Sequence, residues 1–450
     1  MLSDSFSPAG PDSMSPVSIA PESMGPVSMG PASISPRPPH AVSEPEAERQ
    51  LDAEVSEPAA LAKQGALHAG DWVEVLSKDE ILATLDKRGQ LDGLPFMPQM
   101  FEFCGQRYKV FKTAHKTCDT ATMTGGRRMH EAVHLEGLRC NGAAHGGCGA
   151  ACLLFWKEAW LRPSAPPSEA PAPTARSERT SYVQGLADRP RHLCTEPDVW
   201  DGTRTEESTD ADPTYVCQAT QLPAATTLLP WWDLRQYVED YTSGNVPLKA
   251  LAKGALYVGS TKIMKWSRRF QAREALVKAY DRFQSWRGGV PFPRKVGTVP
   301  EKSRTPHGSL NLQPGELVRV KTYEQVLATL DSNNKNRGLY FDAEEVPYCG
   351  SIFRVRSRVD RIIDEATGKL IQVKSAVILD GAWCRAHYSD KRMFCPRAVF
   401  PFWREIWLER VNPDQLPADA HLPAVEPVFA LTERRETRPV VSLPVLRDAG

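Results

Sequence analysis

The sequence predicts an α+β protein: two SH3-like small β-barrel modules, each with a closing helix, joined by a helical middle region and preceded by a disordered N-terminus. Three observations predict it. An internal repeat brackets the middle of the chain, because "GDWVEVLSKDEILATLD" from Gly70 matches "GELVRVKTYEQVLATLD" from Gly315. Within each copy, short runs alternate apolar and polar residues, as half-buried strands do. Between the copies lie apolar stripes at helical spacing and a basic tract with interleaved aromatics.

Taken in order, residues 1–65 repeat a degenerate Ser-Pro-Met unit ("SMSPVS", "SMGPVS", "SISPRP") and then turn acidic. Such a tract buries too little apolar surface to offset its ordering entropy, so a disordered tail is expected. Residues 66–162 form the first module. "DWVEV" reads as a strand, "KDEILATLD" as a short helix with Ile81, Leu82 and Leu85 on one face, and "CGQRYKV" from Cys104 as a second strand. Leu153, Trp156 and Trp160 in "LLFWKEAWL" have helical spacing and predict the closing helix. Residues 163–185 are a Pro/Ala-rich linker. Residues 186–310 are the middle region, where Trp231, Leu234, Val238 and Tyr241 make one apolar stripe ahead of Gly244. Residues 311–412 repeat the landmarks of the first module, with "CGSIFRV" from Cys349, "VILDGAWC" ending at Cys384 and "FWREIWL" from Phe402. Residues 413–450 are an extended C-terminal tail.

Lys plus Arg and Asp plus Glu each number 55, so overall charge points to neither nucleic acid nor membrane. The start "MLSDSFSPAG" lacks a basic region and an apolar core, and no apolar run is long enough to span a bilayer. A cytoplasmic protein is expected. Ten cysteines in a reducing compartment favour metal or redox chemistry over structural disulfides.

"YVCQAT", "WWDLRQYVEDYTSGNV", "LNLQPGELVRVKTYEQVLATLD", "RMFCPRAVFPFWREIWLERV" and "RRMHEAVHLEGLRCNGAAHGGCGAACLLFWKEAWL" together resemble a family of functionally uncharacterised bacterial proteins. The resemblance covers roughly residues 70–160 and 210–411. It implies two related cysteine-containing modules and carries no activity. The family pattern often has further cysteines near Ala376 and Lys391, which this chain lacks, and this implies an incomplete metal site in the second copy.

Cys118, Cys140, Cys148 and Cys152 follow one another as Cys-x21-Cys-x7-Cys-x3-Cys, with His145 among them. A thiolate quartet suits zinc, or alternatively an iron–sulfur cluster, because soft ligands select those metals. The surrounding glycines allow the positive φ angles and close backbone approach that a loop wrapped around a metal needs. His145 can stand in for one thiol. Buried free thiols and thiol redox chemistry are the competing readings. Copy two offers only Cys384, Cys395 and His387, one ligand short. Cys104 and Cys349 lie in strand-like segments and read as core packing.

"HEAVH" from His130 to His134 has the letters of a zinc-protease helix, but its counterpart in copy two alternates like a strand. No catalytic residue is assignable. Glu158 and Glu405, equivalent in the two tails, read as helix-surface carboxylates. The basic stretch 253–295 includes Lys262, Lys265, Trp266, Arg268 and Arg269 as binding candidates. Its partner would be an acidic protein, a nucleic-acid backbone or a membrane surface. The resulting expectation is a metal-stapled binding or scaffold protein. The alternative is a metal-dependent or redox enzyme centred on the same cysteines.

Overall fold

The computed structural model describes residues 66–122, 124–166, 194–266, 273–287, 289–290, 295–300, 303–388 and 391–412. The Ser/Pro/Met tail, most of the linker, the C-terminal tail, Arg268 and Arg269 lie outside the described residues. All those described belong to the unit Lys63–Gly450.

The first module starts with β1 (Trp72–Val75), where alternation sends Val73 and Val75 into the core. Helix α1 (Lys78–Leu82) begins at Ser77, which forms a capping box with Glu80. The short pair β2 (Gln90–Leu91) and β3 (Leu94–Pro95) leads to a 3₁₀ turn at Pro98–Phe103. Then come β4 (Arg107–Thr113), β5 (Lys116–Cys118), β6 (Gly126–Arg128), β7 (Ala132–Arg139), β8 (Leu153–Lys157) and β9 (Leu161–Pro163). Five of these strands make an antiparallel sheet in the order β8-β7-β4-β1-β9.

The middle region contributes α2 (Glu196–Asp201), α3 (Leu222–Ala225), β10 (Thr227–Leu229), α4 (Arg235–Thr242), α5 (Leu248–Trp266) and α6 (Arg273–Arg287). Strand β10 pairs with β6 and extends the β5–β6 hairpin to three strands.

The second module runs through β11 (Leu317–Val320), α7 (Tyr323–Leu327), the pair β12 (Lys335–Asn336) and β13 (Leu339–Tyr340), β14 (Ile352–Arg358), the hairpin β15 (Arg361–Ile363) and β16 (Leu370–Gln372), β17 (Ala376–Leu379), β18 (Trp403–Arg404) and β19 (Leu408–Arg410). Its sheet order is β18-β17-β14-β11-β19, position for position that of the first sheet. The helices start alike, since Thr322 and Gln325 repeat the capping box. The cores match as well. Trp156 and Trp160 pack edge-on against Phe96, at 6.2 and 5.1 Å between ring centres. Trp403 and Trp407 do the same to Phe341, at 6.2 and 5.2 Å. Each indole next to the last strand donates to a threonine, Trp160 to Thr84 at 3.0 Å and Trp407 to Thr329 at 2.9 Å.

Two expectations need correction. The tail "LLFWKEAWL" is no helix: β8 is followed by a 3₁₀ turn at Glu158–Trp160 and then β9, and Glu405–Trp407 repeats that turn. Every residue of β8 is buried, so its apolar run carries no alternation, and aromatic residues suit a strand. The stripe Leu234, Val238 and Tyr241 faces outward, at 72%, 61% and 54% exposed. Helix α4 buries the opposite face, because Asp240 there receives Lys116 at 2.5 Å in a wholly enclosed ion pair. Among the described residues no helix is long and apolar enough to cross a membrane.

Candidate metal centre

Strand β7 ends at Arg139 and delivers Cys140 to a loop that returns to β8 at Leu153. That loop is closed by Cys140 N–H donating to the Cys152 carbonyl at 2.8 Å. Glycine is obligatory at two places in it. A Cβ on Gly142 (φ +70°) would strike the backbone of Cys148, and one on Gly146 (φ +62°) would strike the ring of Tyr215. The loop therefore folds Cys140, Cys148 and Cys152 onto one cavity of about 40 Å³.

The fourth thiol is Cys217, from the middle region. Its neighbour Gln218 is stitched to β8: its amide accepts from Phe155 N–H at 2.9 Å and donates to the Phe155 carbonyl at 2.8 Å. Those bonds fix Cys217 beside the loop. The walls are otherwise mostly apolar, with Met97, Leu154, Phe155 and Ile363 among them. Three donors reach the sulfurs: Gln99 Nε2 to Cys140 at 3.2 Å, Gly142 N–H to Cys140 at 3.4 Å, and Ile363 N–H to Cys148 at 3.4 Å.

One cation shares the cavity. Arg397, from the second module and 1% exposed, pairs with Glu365 at 2.9 Å and donates to Thr120. His145 lines the wall with Nε2 3.0 Å from the Val216 carbonyl. A carbonyl only accepts, so Nε2 carries the hydrogen, and the buried Nδ1 keeps its lone pair without a hydrogen-bond partner. Burial holds this imidazole down to about 4, so it is neutral near pH 7. Burial also pushes the Cys140 thiol up to about 12 and raises Cys152 and Cys217. Raising these three thiols lowers their thiolate fraction near pH 7, and only the thiolate attacks.

The expected quartet is thus not the one the fold assembles. Cys118, at the end of β5, lies elsewhere: it packs with Cys384 and Cys395 of the second module, and Cys118 N–H donates to Cys395 Sγ at 3.1 Å. The hydrogen bond from Cys395 lowers the Cys118 thiol against burial, aided by Arg397 and Arg392, while the same bond holds Cys395 high. Cys104 and Cys349 pack against the two module cores. All ten cysteines are free. Among the described residues, no group of three or more His, Cys, Asp or Glu side chains meets around a single-ion position.

The remaining candidates separate further. His130 is exposed in a bend, whereas His134 is wholly buried on β7, with Nδ1 2.9 Å from the Leu154 carbonyl. "HEAVH" is therefore not a metal-binding helix. Glu158 sits half-buried in a 3₁₀ turn. Glu405 is fully buried and accepts from the N–H groups of Leu310, Asn311 and Leu312 at 2.6–3.2 Å, so it is structural. Lys262 lies over the Trp231 ring at 3.5 Å, and the side chains of Lys265 and Trp266 lie outside the described residues. Sequence reasoning missed Cys217 and Arg397. Neither has a spacing signal, since both reach the cavity from distant segments; the only hint for Cys217 was its place in the quoted "YVCQAT".

No family model, curated protein or solved structure matches this chain.

Proposed function

We propose that this is an iron–sulfur protein whose cluster is held by Cys140, Cys148, Cys152 and Cys217 between two SH3-like tandem modules. The observation that carries the reading is that four cysteines, from a loop and a distant segment, line one mostly apolar cavity. Four thiolates are the usual ligand set of such clusters. The four cysteines line a space of about 40 Å³, and among the described residues no three of them meet around a single-ion position. A tetrahedral zinc site needs the opposite, four sulfurs on one ion at about 2.3 Å. The strand order and the 3₁₀ turn before the last strand support the SH3-like description of both modules.

The chain's own groups suit an anionic centre. N–H donors of Gln99, Gly142 and Ile363 stabilise charge on sulfur, and Arg397 adds a buried cation. A bound cluster supplies one-electron chemistry, and it also staples the middle region to the first module. Arg397→Gln should make reduction harder, by roughly tens of millivolts, because a positive charge beside the centre is lost.

Anaerobic purification tests the reading. The full-length protein should be brown and contain iron and acid-labile sulfide, and Cys217→Ala should lose both. Cys118→Ala should keep them. A colourless wild-type protein with one zinc held by these cysteines would replace this function with a structural staple.

A further inference from the structure

Helix α5 is apolar on both sides, and the chain covers only one of them. Its inner side packs on a loop of the second module. Gly254 and Thr261 are buried there, and a Cβ on Gly254 would strike the Phe394 ring. Leu251, Tyr257 and Val258 join Met393 and Phe394 in one cluster, and Tyr257 Oη donates to the Tyr388 carbonyl at 3.1 Å. Those contacts fix which side of the helix faces away from the protein.

The outward side is a continuous apolar band. Leu248, Ala252, Ala255, Leu256, Gly259 and Ile263 are all exposed, with Leu248, Leu256 and Ile263 at 65%, 61% and 56%. At about 100° per residue these six positions share an arc of roughly 100°. A helix that is apolar all round is normally buried all round, so the open arc marks a contact surface. In the adjoining α4, Leu234, Val238 and Tyr241 are exposed in the same manner.

Charge edges the band. Lys249 and Lys253 follow it on one flank of the arc and Lys262 on the other, and all three are exposed. None of the 19 residues of α5 is Asp or Glu. The carboxylates in and just before α4 are already engaged: Asp233 by Arg235 at 2.9 Å, Glu239 by Arg128 at 2.8 Å and Asp240 by Lys116 at 2.5 Å. Lysine stems lie along apolar surface while their ammonium groups stay in a polar layer. An apolar arc with lysines on both edges is the pattern of a helix lying in the plane of a lipid–water boundary.

We propose that the outer face of α5 seats this protein on a membrane surface with anionic headgroups, the apolar band entering the headgroup–acyl boundary and Lys249, Lys253 and Lys262 facing the lipid charge. The contact is peripheral, since no helix among the described residues is long and apolar enough to cross a bilayer. Lysines without a carboxylate on the helix select an anionic surface. An arc of Leu, Ile, Ala and Gly, with no hydrogen-bonding side chain in it, suits acyl chains better than the polar rim of a protein interface. The inference is independent of the cluster, because no cysteine takes part.

Flotation of the full-length, anaerobically purified protein with lipid vesicles tests this. The protein should float with vesicles of equal parts phosphatidylcholine and phosphatidylglycerol and stay behind with phosphatidylcholine alone. Leu256→Ser with Ile263→Ser should lower partitioning by roughly tenfold or more, because two apolar side chains are withdrawn. Lys249→Gln with Lys253→Gln should lower it by roughly thirtyfold at low salt, and high salt should weaken the wild type in the same way. Iron content and melting temperature should stay at wild-type values in both variants. Leu256→Trp, which adds apolar area, should strengthen flotation, so a lost contact is separable from a misfolded chain. No flotation with anionic vesicles, equal flotation with neutral ones, or full flotation of the Leu256→Ser, Ile263→Ser variant overturns the proposal. So does a lipid-free wild-type dimer that this variant converts to a monomer, which would give the face to a second copy. Salt-sensitive retention on polyglutamate without flotation would give it to an acidic protein instead.

Discussion

The two modules share strand order, capping boxes and a pair of buried tryptophans, yet their cysteine loops differ. The first loop holds three thiols and gains a fourth from the middle region; the second holds two and gains one from the opposite hairpin. Cys140 N–H meets the Cys152 carbonyl in the first loop where Cys384 N–H meets that of Val399 in the second, and where Ile363 lends only a backbone N–H, Cys118 adds a sulfur. The lesson is physical. The shared frame sets where a loop emerges and which hairpin reaches it, and one or two side chains then decide which thiols come together.

The largest test of that comparison concerns the shared frame. Trp156→Ala and Trp403→Ala should each cost about 3–5 kcal/mol, since both indoles are fully buried in matching cores. Only Trp156→Ala should loosen iron as well, because β8 carries the end of the first cysteine loop. Denaturant unfolding with iron release read in parallel checks this, and equal iron loss from both variants would break the comparison.

A similar effect is expected at the hairpins. Lys116, first in β5, is buried against Asp240 at 2.5 Å, while Arg361, first in β15, is exposed. Asp240→Asn should cost about 3–5 kcal/mol by leaving a buried ammonium unpaired. Arg361→Gln should stay within about 0.5 kcal/mol, and urea melts of the two variants compare them.

The paired tail carboxylates sharpen the contrast further. Burial pushes Glu405 up, but donors from Ser309 and from the backbone of Leu310, Asn311 and Leu312 outweigh it, so its acidity ends below the ordinary carboxylate value. A lowered carboxylate contributes stability that is fully present above its unfolded value of about 4.3 and is lost as pH falls through the folded value. Glu158 has the opposite sign: burial and the nearby Glu131 raise it, so it weakens the fold at neutral pH and less so in acid. Glu405→Gln should therefore lower stability at pH 7 by about 1.5–3 kcal/mol and flatten the acid limb. Glu158→Gln should be neutral or stabilising. Melting temperature followed from pH 7 to pH 3 separates the two.

The smallest effect lies in the middle region. Lys262→Ala should cost about 0.5–1 kcal/mol through its contact with the Trp231 ring. A thermal shift larger than that of Glu405→Gln would mean that the helix carries more of the fold than its exposed face suggests.

Much of the frame was legible in the sequence. The strands at Trp72–Val75 and Leu317–Val320 follow from alternation, and the short helices from Ser77 and Thr322 as caps. The tails misled, because Trp156 and Trp160 have helical spacing by accident, one in a wholly buried strand and the other as the buried residue of a turn. The site was legible only in part. Three of the cavity's four thiols share one loop and one spacing pattern, whereas Cys217 and Arg397 arrive by tertiary packing, which leaves no periodicity along the chain. Cys118 misled for the converse reason: it is near Cys140 in sequence, but β5 points it to the other module.

The central claim is that four sulfurs surround a polynuclear centre rather than one ion. X-ray absorption at the iron edge, on anaerobically purified full-length protein, tests that claim most directly. The account predicts a first shell of sulfur and a second shell of iron around iron, both abolished in Cys217→Ala. A single metal with four sulfurs at about 2.3 Å and no metal–metal scattering would contradict it.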